Sequence, residues 1–282
     1  MKILVALDEN NYSRKIVKDV ARLAENTLAD IVFLGIQSSA QELDQDLTNS
    51  LHRYQQDIYS YFRQENLPYA EFSSEKWTQK EKGDWLISSS GMKDFTLRVR
   101  SGNIAKQVVW VAKDTECDLI ILGCGKEFGC EWNGEMNVPL RIAEDAPCSV
   151  LVIKQICATG QIISILDQSI VSQDALEMVN QIITIHEADL KIVGVKENNE
   201  TKEDKIESRM VELLTYYNKR MVNAWLKLID SENVKEYVTN ASKKAIVALW
   251  MGGKQSLLQR LFSQSMVDKL LETSKSSVLI LR

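Results

Sequence analysis

Apolar residues along the chain fall into two kinds of run that alternate. Short runs that are apolar at successive positions (ILVAL at 3–7, IVFLGI at 31–36, LIILG at 119–123, SVLVI at 149–153) predict strands buried on both faces of a sheet. Between them lie amphipathic stretches at helical spacing, the first being RKIVKDVARLAE at 14–25. FTLRV at 95–99 reads as a third strand, and SGNIAKQVVWVAKDTE at 101–116 as a helix capped by Ser101 or Asn103. Strands that alternate with helices predict a parallel, doubly wound sheet with right-handed crossovers.

The same order recurs in the second half of the chain. IISILDQS at 162–169 matches ILVALDEN, DALEMVNQIITI at 174–185 takes the place of the first helix, and LKIVGV at 190–195 that of the second strand. Asp8 pairs with Asp167, Ala29 with Ala188, Asp30 with Asp189 and Gly35 with Gly194, all without a gap. AWLKLI at 224–229, DSENVKEYVTNASKK at 230–244 and AIVALW at 245–250 fill the later slots. Both halves close alike, on SVLVI and on SVLIL at 277–281, with the aperiodic KQICATGQ at 154–161 as linker. The expectation is an α/β chain of two tandem Rossmann-like domains, 1–155 and 160–282, each a five-stranded parallel sheet flanked by helices. The first carries an extra stretch, Ala70 to Lys93, with Trp77 and Trp85. It reads either as a flap over the carboxyl edge of the sheet or as an excursion packed on one helix by its tryptophans. The apolar stripe from Ile206 to Met221 reads as a helix face covering the sheet.

A length of 282 residues suits two cores, and 45% apolar with 26% charged residues is ordinary for a globular chain. The net charge of −5 is spread along the chain, which leaves no positive field for nucleic acid or anionic lipid. No run of about 18 apolar residues offers a membrane span, and Met1 and Lys2 lead directly into a strand, so a cytoplasmic location is expected. Five cysteines at 117, 124, 130, 148 and 157 show no CxxC pair and read as reduced thiols. Cys124, Cys130 and Cys148 leave a redox or metal role as the alternative. With only His52 and His186, no serine–histidine–acid set or metal-ligand spacing exists, and no catalytic residue is expected.

The opening ILVALD, the DLIILG at 118–123 and the closing APCSVLVI at 146–153 resemble the universal stress protein family, tandem two-domain type, and the resemblance covers each half nearly end to end. Members that bind ATP end strand one on an acidic residue and follow strand four with a loop of pattern G-x2-G-x9-G-[ST]. Glycines let backbone N–H groups approach phosphate, and the last step opens a helix whose amides attract the anion. Laid on this chain the pattern falls on Gly123, Lys126 and Met136-Asn137, with Pro139 nearby and Gly125 out of register. In the second half it falls on Met251, Lys254 and Gln264-Ser265. The contacts the resemblance implies are Asp8, Ile36, Gly123, Gly125, Lys126 and Asn137 in the first half, Asp167 and Ser265 in the second. Lys126 and Lys254 either offset phosphate charge or are solvated loop lysines. Asp8 and Asp167 either contact a ligand or cap the helix that follows.

The resemblance thus implies a non-enzymatic stress-response or signalling protein that binds a partner protein or small ligand, its nucleotide loop degenerate in both halves. No cofactor is expected, and ATP or another adenine nucleotide is the alternative, held by the first domain. A pocket remodelled for an apolar ligand is a further one, suggested by Phe128, Trp132 and Met136. By the same resemblance Ser149–Ile153 and Ser277–Leu281 pair within the chain, with a homodimer as a further expectation.

Overall fold

The run ILVAL forms the centre of a sheet because both of its neighbours are strands and both of its faces are covered by helices. In a computed structural model, residues 1–62, 68–70, 72, 76–124, 132, 135, 137–154, 160–166, 172–196, 200–251 and 264–282 are described. The chain divides into two units, Met1–Ile153 and Lys154–Arg282.

In the first unit the order is β1 (Lys2–Ala6), α1 (Asn11–Thr27), β2 (Asp30–Gln37), α2 (Gln45–Tyr61), β3 (Thr78–Glu81), β4 (Asp84–Ser90), β5 (Asp94–Ser101), α3 (Ile104–Asp114), β6 (Leu119–Cys124), α4 (Val138–Asp145) and β7 (Ser149–Lys154). The strands lie β7-β6-β1-β2-β5-β4-β3. β1 pairs in parallel with β2 and β6, and β2 with β5. Ile16, Val17, Val20, Ala21, Leu23 and Ala24 form the buried stripe of α1. Asp44 caps α2 by accepting the amides of Asp46 and Leu47, and of the two candidates for α3 it is Asn103 that caps, accepting Lys106 N at 3.1 Å.

The five-stranded parallel sheet expected here is corrected in the first unit. The extra stretch supplies β3 and β4, which add to the edge of β5 as an antiparallel hairpin, making seven strands. Trp77 does lie against α2, 5.8 Å from the His52 ring, whereas Trp85 is a buried strand residue. A hairpin on an edge strand satisfies its outward amides and carbonyls, which removes a surface prone to aggregation.

That hairpin is fastened by charge. Asp84, fully buried, accepts Nε and Nη2 of Arg98 at 2.9 and 2.7 Å and Nη1 of Arg100 at 2.6 Å. Arg98 also donates to Asp114 (2.9 Å) and Arg100 to Glu81 (3.1 Å), while the Arg100 guanidinium lies 3.8 Å from the Trp110 ring centre. Arg98 and Arg100 share one face of β5 by its twofold alternation, so one carboxylate serves both.

The second unit holds β8 (Gln161–Leu166), α5 (Gln173–His186), β9 (Asp189–Lys196), α6 (Glu200–Asn218), β10 (Ala224–Asp230), a 3₁₀ turn (Ser231–Asn233), α7 (Val234–Ala241), β11 (Ile246–Trp250), α8 (Gln264–Thr273) and β12 (Val278–Leu281). Its strands run β10-β9-β8-β11-β12, all parallel. Ile206, Met210, Leu213 and Tyr217 are the buried stripe of α6. Equivalent details recur in the two units. α1 and α5 each end on a left-handed residue that is not glycine, Leu28 (φ 48°) and Glu187 (φ 49°). Asp30 N and Asp189 N donate to Met1 O and Gly160 O, both at 2.9 Å. Asp30 then accepts Asp94 N and Asp189 accepts Asn223 Nδ2, so each ties the start of its sheet's third parallel strand. A Cβ on Gly35 would crowd Leu47 of α2, and one on Gly194 would crowd Met210 of α6. Helix and strand approach too closely there for a side chain.

Asp84→Ala leaves two guanidinium groups buried around a missing carboxylate, and should lower unfolding stability by about 3–5 kcal/mol. Denaturant titration of the full chain checks this, with Arg14→Ala, which breaks an exposed pair to Asp57, expected to leave the unfolding midpoint nearly unchanged.

Candidate functional site

In open parallel sheets the place for a ligand is the crevice outside the carboxyl ends of the strands where the winding reverses. In the first unit this lies between β1 and β6, because the chain winds from β1 toward β2 on one side and returns to β6 on the other. Asp8 follows β1 there and Gly123 sits in β6.

Asp8 is buried, with 2% of its surface exposed, and its carboxylate is filled from within the chain. One oxygen accepts Asn10 N at 3.0 Å and Ser13 Oγ at 2.6 Å. The other accepts Asn10 Nδ2 at 2.7 Å and the Tyr12 hydroxyl. Tyr54 OH donates to the Asp8 carbonyl at 2.9 Å. Asp8 therefore organises the turn into α1. It is not that helix's cap, which is Asn10. In the second unit Ser172 caps α5, accepting Ala175 N at 3.2 Å, so the capping role expected of Asp167 belongs to Ser172.

Above Gly123 stand two aromatic side chains. Trp132, 2% exposed, donates its indole N–H to the Gly123 carbonyl at 3.0 Å, and its ring lies 5.7 Å from that of Tyr12 at 43°. Trp132 and Glu135 exchange backbone hydrogen bonds at 2.9 and 2.7 Å. The Glu135 carboxylate accepts Asn103 Nδ2 at 3.0 Å and pairs with Arg141 at 3.4 Å. A Cβ at position 123 would lie 3.0 Å from both Tyr12 Cδ2 and Tyr12 O. The missing Cβ thus leaves room for the close approach of Tyr12.

The Glu9 carboxyl titrates above its ordinary range, through burial first and then through the charges of Asp44, Asp46 and Asp8. Asn137, expected near phosphate, is the left-handed residue before α4 (φ 59°) and makes no side-chain cap. Pro139 lies in the first turn of α4, where it removes an amide that an anion would use. Ile36 is a buried residue of β2. Gly125, Lys126, Met136, Phe128, Asp167 and Lys254 lie outside the described residues, and Ser265 is placed only as a residue of α8.

Two further expectations are corrected. Cys124 is disulfide-bonded, whereas Cys117 and Cys148 form no disulfide, so the expectation of reduced thiols fails at Cys124. In the second unit the strand register decides the loop's start. β6 sets Leu122 opposite Ala6, and β11 sets Leu249 opposite the repeat-equivalent Ile165. The residue in the place of Gly123 is therefore Trp250, not Met251. Trp250 is buried and its indole N–H meets no acceptor among the described residues. Among the described residues no group of His, Cys, Asp or Glu is placed to hold a metal ion, and no helix is long and apolar enough to cross a membrane.

Burial first, then the Asp8 charge, pushes the Tyr54 phenol up to about 12 from 10.0 and raises Tyr12 further. As pH rises past 10 the unfolded chain loses these protons first, so the stability they support is complete below pH 10 and is lost as pH climbs toward 12. The thermal midpoint should fall steeply over that range, and Tyr54→Phe should make the fall shallower.

A model of the universal stress protein family matches residues 1–154. No curated protein matches the chain. Among solved structures, a putative universal stress protein from Pseudomonas aeruginosa aligns over 99% of this chain and 92% of its own, at 14% identity and a TM-score of 0.63. A universal stress protein from Archaeoglobus fulgidus aligns over 100% and 96%, at 11% identity and a TM-score of 0.60. The cytoplasmic domain of a prokaryotic cation chloride cotransporter aligns over 99% and 94%, at 12% identity and a TM-score of 0.52, a likeness of fold alone. The family model spans more than half of the chain and fits the unit built around Asp8 and Gly123: this chain belongs to the universal stress protein family.

Proposed function

We propose that the chain is a tandem pair of universal stress domains, 1–155 and 160–282, that serves stress response or signalling by binding a partner protein or small ligand, without an adenine nucleotide in either half. Members of the family are characteristically non-enzymatic. The observation that carries this reading is the saturated Asp8 carboxylate: four donors of the same turn occupy it, leaving an incoming ribose or adenine to compete with bonds already made. Pro139 points the same way, since it removes an amide that an anion would use. In this proposal Gly125, Lys126, Asp167 and Ser265 are remnants of the nucleotide loop rather than contacts. The closing strands of the two halves are proposed to pair within the chain, each standing at one side of its own unit's sheet.

Isothermal calorimetry of the full chain with ATP and Mg²⁺ should show no binding heat at millimolar nucleotide. Asp8→Ala should leave that unchanged and lower unfolding stability by about 1–3 kcal/mol, because the donors it accepts lose their partner. Saturable ATP binding that Asp8→Ala weakens would establish the nucleotide sensor instead.

A further inference from the structure

We propose that the first unit carries a second ligand site, a cavity at the amino ends of its strands, and that this cavity takes a small aliphatic amine in its protonated form. The site lies at the opposite end of the sheet from the crevice beside Asp8 and is independent of what that crevice binds.

The cavity measures about 390 Å³, within the size class of small-molecule sites. Lys2, Asp30 and Asp94 are the first residues of β1, β2 and β5 and line its outer rim. Deeper in, Val32 pairs across to Thr96, Thr96 to Ser88, and Arg98 to Leu86. These residues share one face of the sheet, because alternate residues of a strand point the same way; the other face of β5 carries the fully buried Phe95, Leu97 and Val99. One wall is the end of α3, Asp114 to Glu116, fastened to the sheet by Lys2 Nζ, which donates to the Thr115 carbonyl at 2.8 Å. The other wall is the hairpin, with Lys80 on β3 and Leu86 and Ser88 on β4. The extra stretch of the first half therefore builds half of the site.

The second unit fills the same place with side chains. The gapless match of Asp30 with Asp189 and of Gly35 with Gly194 makes Lys191 the counterpart of Val32. Strand register then sets Trp225 beside Lys191 as Thr96 stands beside Val32. There the Lys191 ammonium lies 5.5 Å from the centre of the Trp225 ring, and β10 is the last strand on that side. An open floor is thus a property of the first unit, kept by two shorter side chains, and not of the fold.

The charges select the class of ligand. Arg98 closes the inner end with its charge already met by Asp84 and Asp114, and Lys80 lies 3.8 Å from the same Asp114. Lys2 is the one further cation of the lining, and its ammonium is engaged by a carbonyl. Asp30, Asp94 and Glu116 enter no ion pair among the described residues, and Asp30 accepts only the Asp94 amide, at 3.0 Å. The C-terminal end of α3 adds the negative pole of a helix. The positive groups are therefore occupied and the carboxylates are open, which favours a cation. No three of them are placed to hold one metal ion. Val32, Leu86 and the Thr96 methyl offer an aliphatic floor, and no aromatic side chain among the described residues lines the cavity, so the cation that fits is an ammonium on a short carbon chain.

The test is a titration of the full chain, labelled at its Val, Leu and Thr methyl groups, with putrescine, γ-aminobutyrate and succinate. The three probes share a four-carbon length and differ in charge. The Val32, Leu86 and Thr96 signals, assigned by substitution, should shift saturably with putrescine, more weakly with γ-aminobutyrate and not with succinate. Asp94→Asn should weaken putrescine binding about tenfold by removing one charge that faces the ammonium, and high salt should weaken it in the wild type. Thr96→Trp, which installs the residue of the second unit, should abolish the shifts at Val32 and Leu86. Methyl signals unmoved by millimolar putrescine overturn the proposal in the wild-type protein itself, whether or not either variant folds. Shifts that survive in Thr96→Trp place the amine elsewhere and overturn it too, as does tighter binding of succinate or γ-aminobutyrate than of putrescine.

Discussion

A doubly wound parallel sheet must reverse its winding somewhere, and at that point two neighbouring strands end with no connection crossing above them. The gap cannot stay empty, since unfilled volume forfeits packing contacts and leaves strand-end carbonyls without partners. Much of the first unit follows from how this gap is filled. Asp8 gathers Asn10, Tyr12 and Ser13 into a tight turn at the end of β1. The turn brings Tyr12 over Gly123, and Trp132 closes the space with its N–H on the Gly123 carbonyl. In the second unit Trp250, a buried residue of β11, stands in the place of Gly123.

The two tryptophans are bonded differently. Trp132 donates its N–H to the Gly123 carbonyl, whereas the Trp250 N–H has no acceptor among the described residues. The first unit also spends its charged residues differently, placing Asp84, Arg98 and Arg100 inside the sheet extension. Buried ions of this kind contribute little net stability but penalise every wrong pairing strongly. The hairpin β3–β4 is otherwise polar on its exposed edge strand, so the ionic cluster sets its register where apolar alternation is weak.

Strand and helix order was legible from the alternation of apolar runs and amphipathic stretches, and the gapless matches at Asp30 and Asp189 or Gly35 and Gly194 mark true structural equivalences, strand ties and close helix approaches. The hairpin was not legible. TQKE and DWLISSS carry no sustained alternation, and Trp77 and Trp85 suggested helix packing, which only Trp77 does. The pairing that makes them strands is with β5, and such long-range ladders leave little local trace. The aromatic filling was half visible. Trp132 stands out in the sequence as a bulky residue where phosphate contacts are expected, whereas nothing in the sequence marks Tyr12, whose part depends on its hydroxyl reaching Asp8.

In the proposed reading Gly123 keeps a ligand motif for a structural reason. A glycine at the end of this strand lets backbone approach phosphate in the nucleotide-binding pattern, and here the same missing Cβ leaves room for Tyr12. Asp8 makes the parallel case, since a carboxylate suited to a ribose is equally suited to the amide, hydroxyl and phenol of its own turn. Once Tyr12 and Trp132 occupy the crevice, both residues are held by internal packing and would be retained with no nucleotide present. The residues that break the pattern are therefore more informative than those that keep it. Pro139 removes an amide that an anion would use, and Trp250 stands where the first unit has Gly123; in the proposed reading both work against a phosphate cradle, and both are buried in the packing around them.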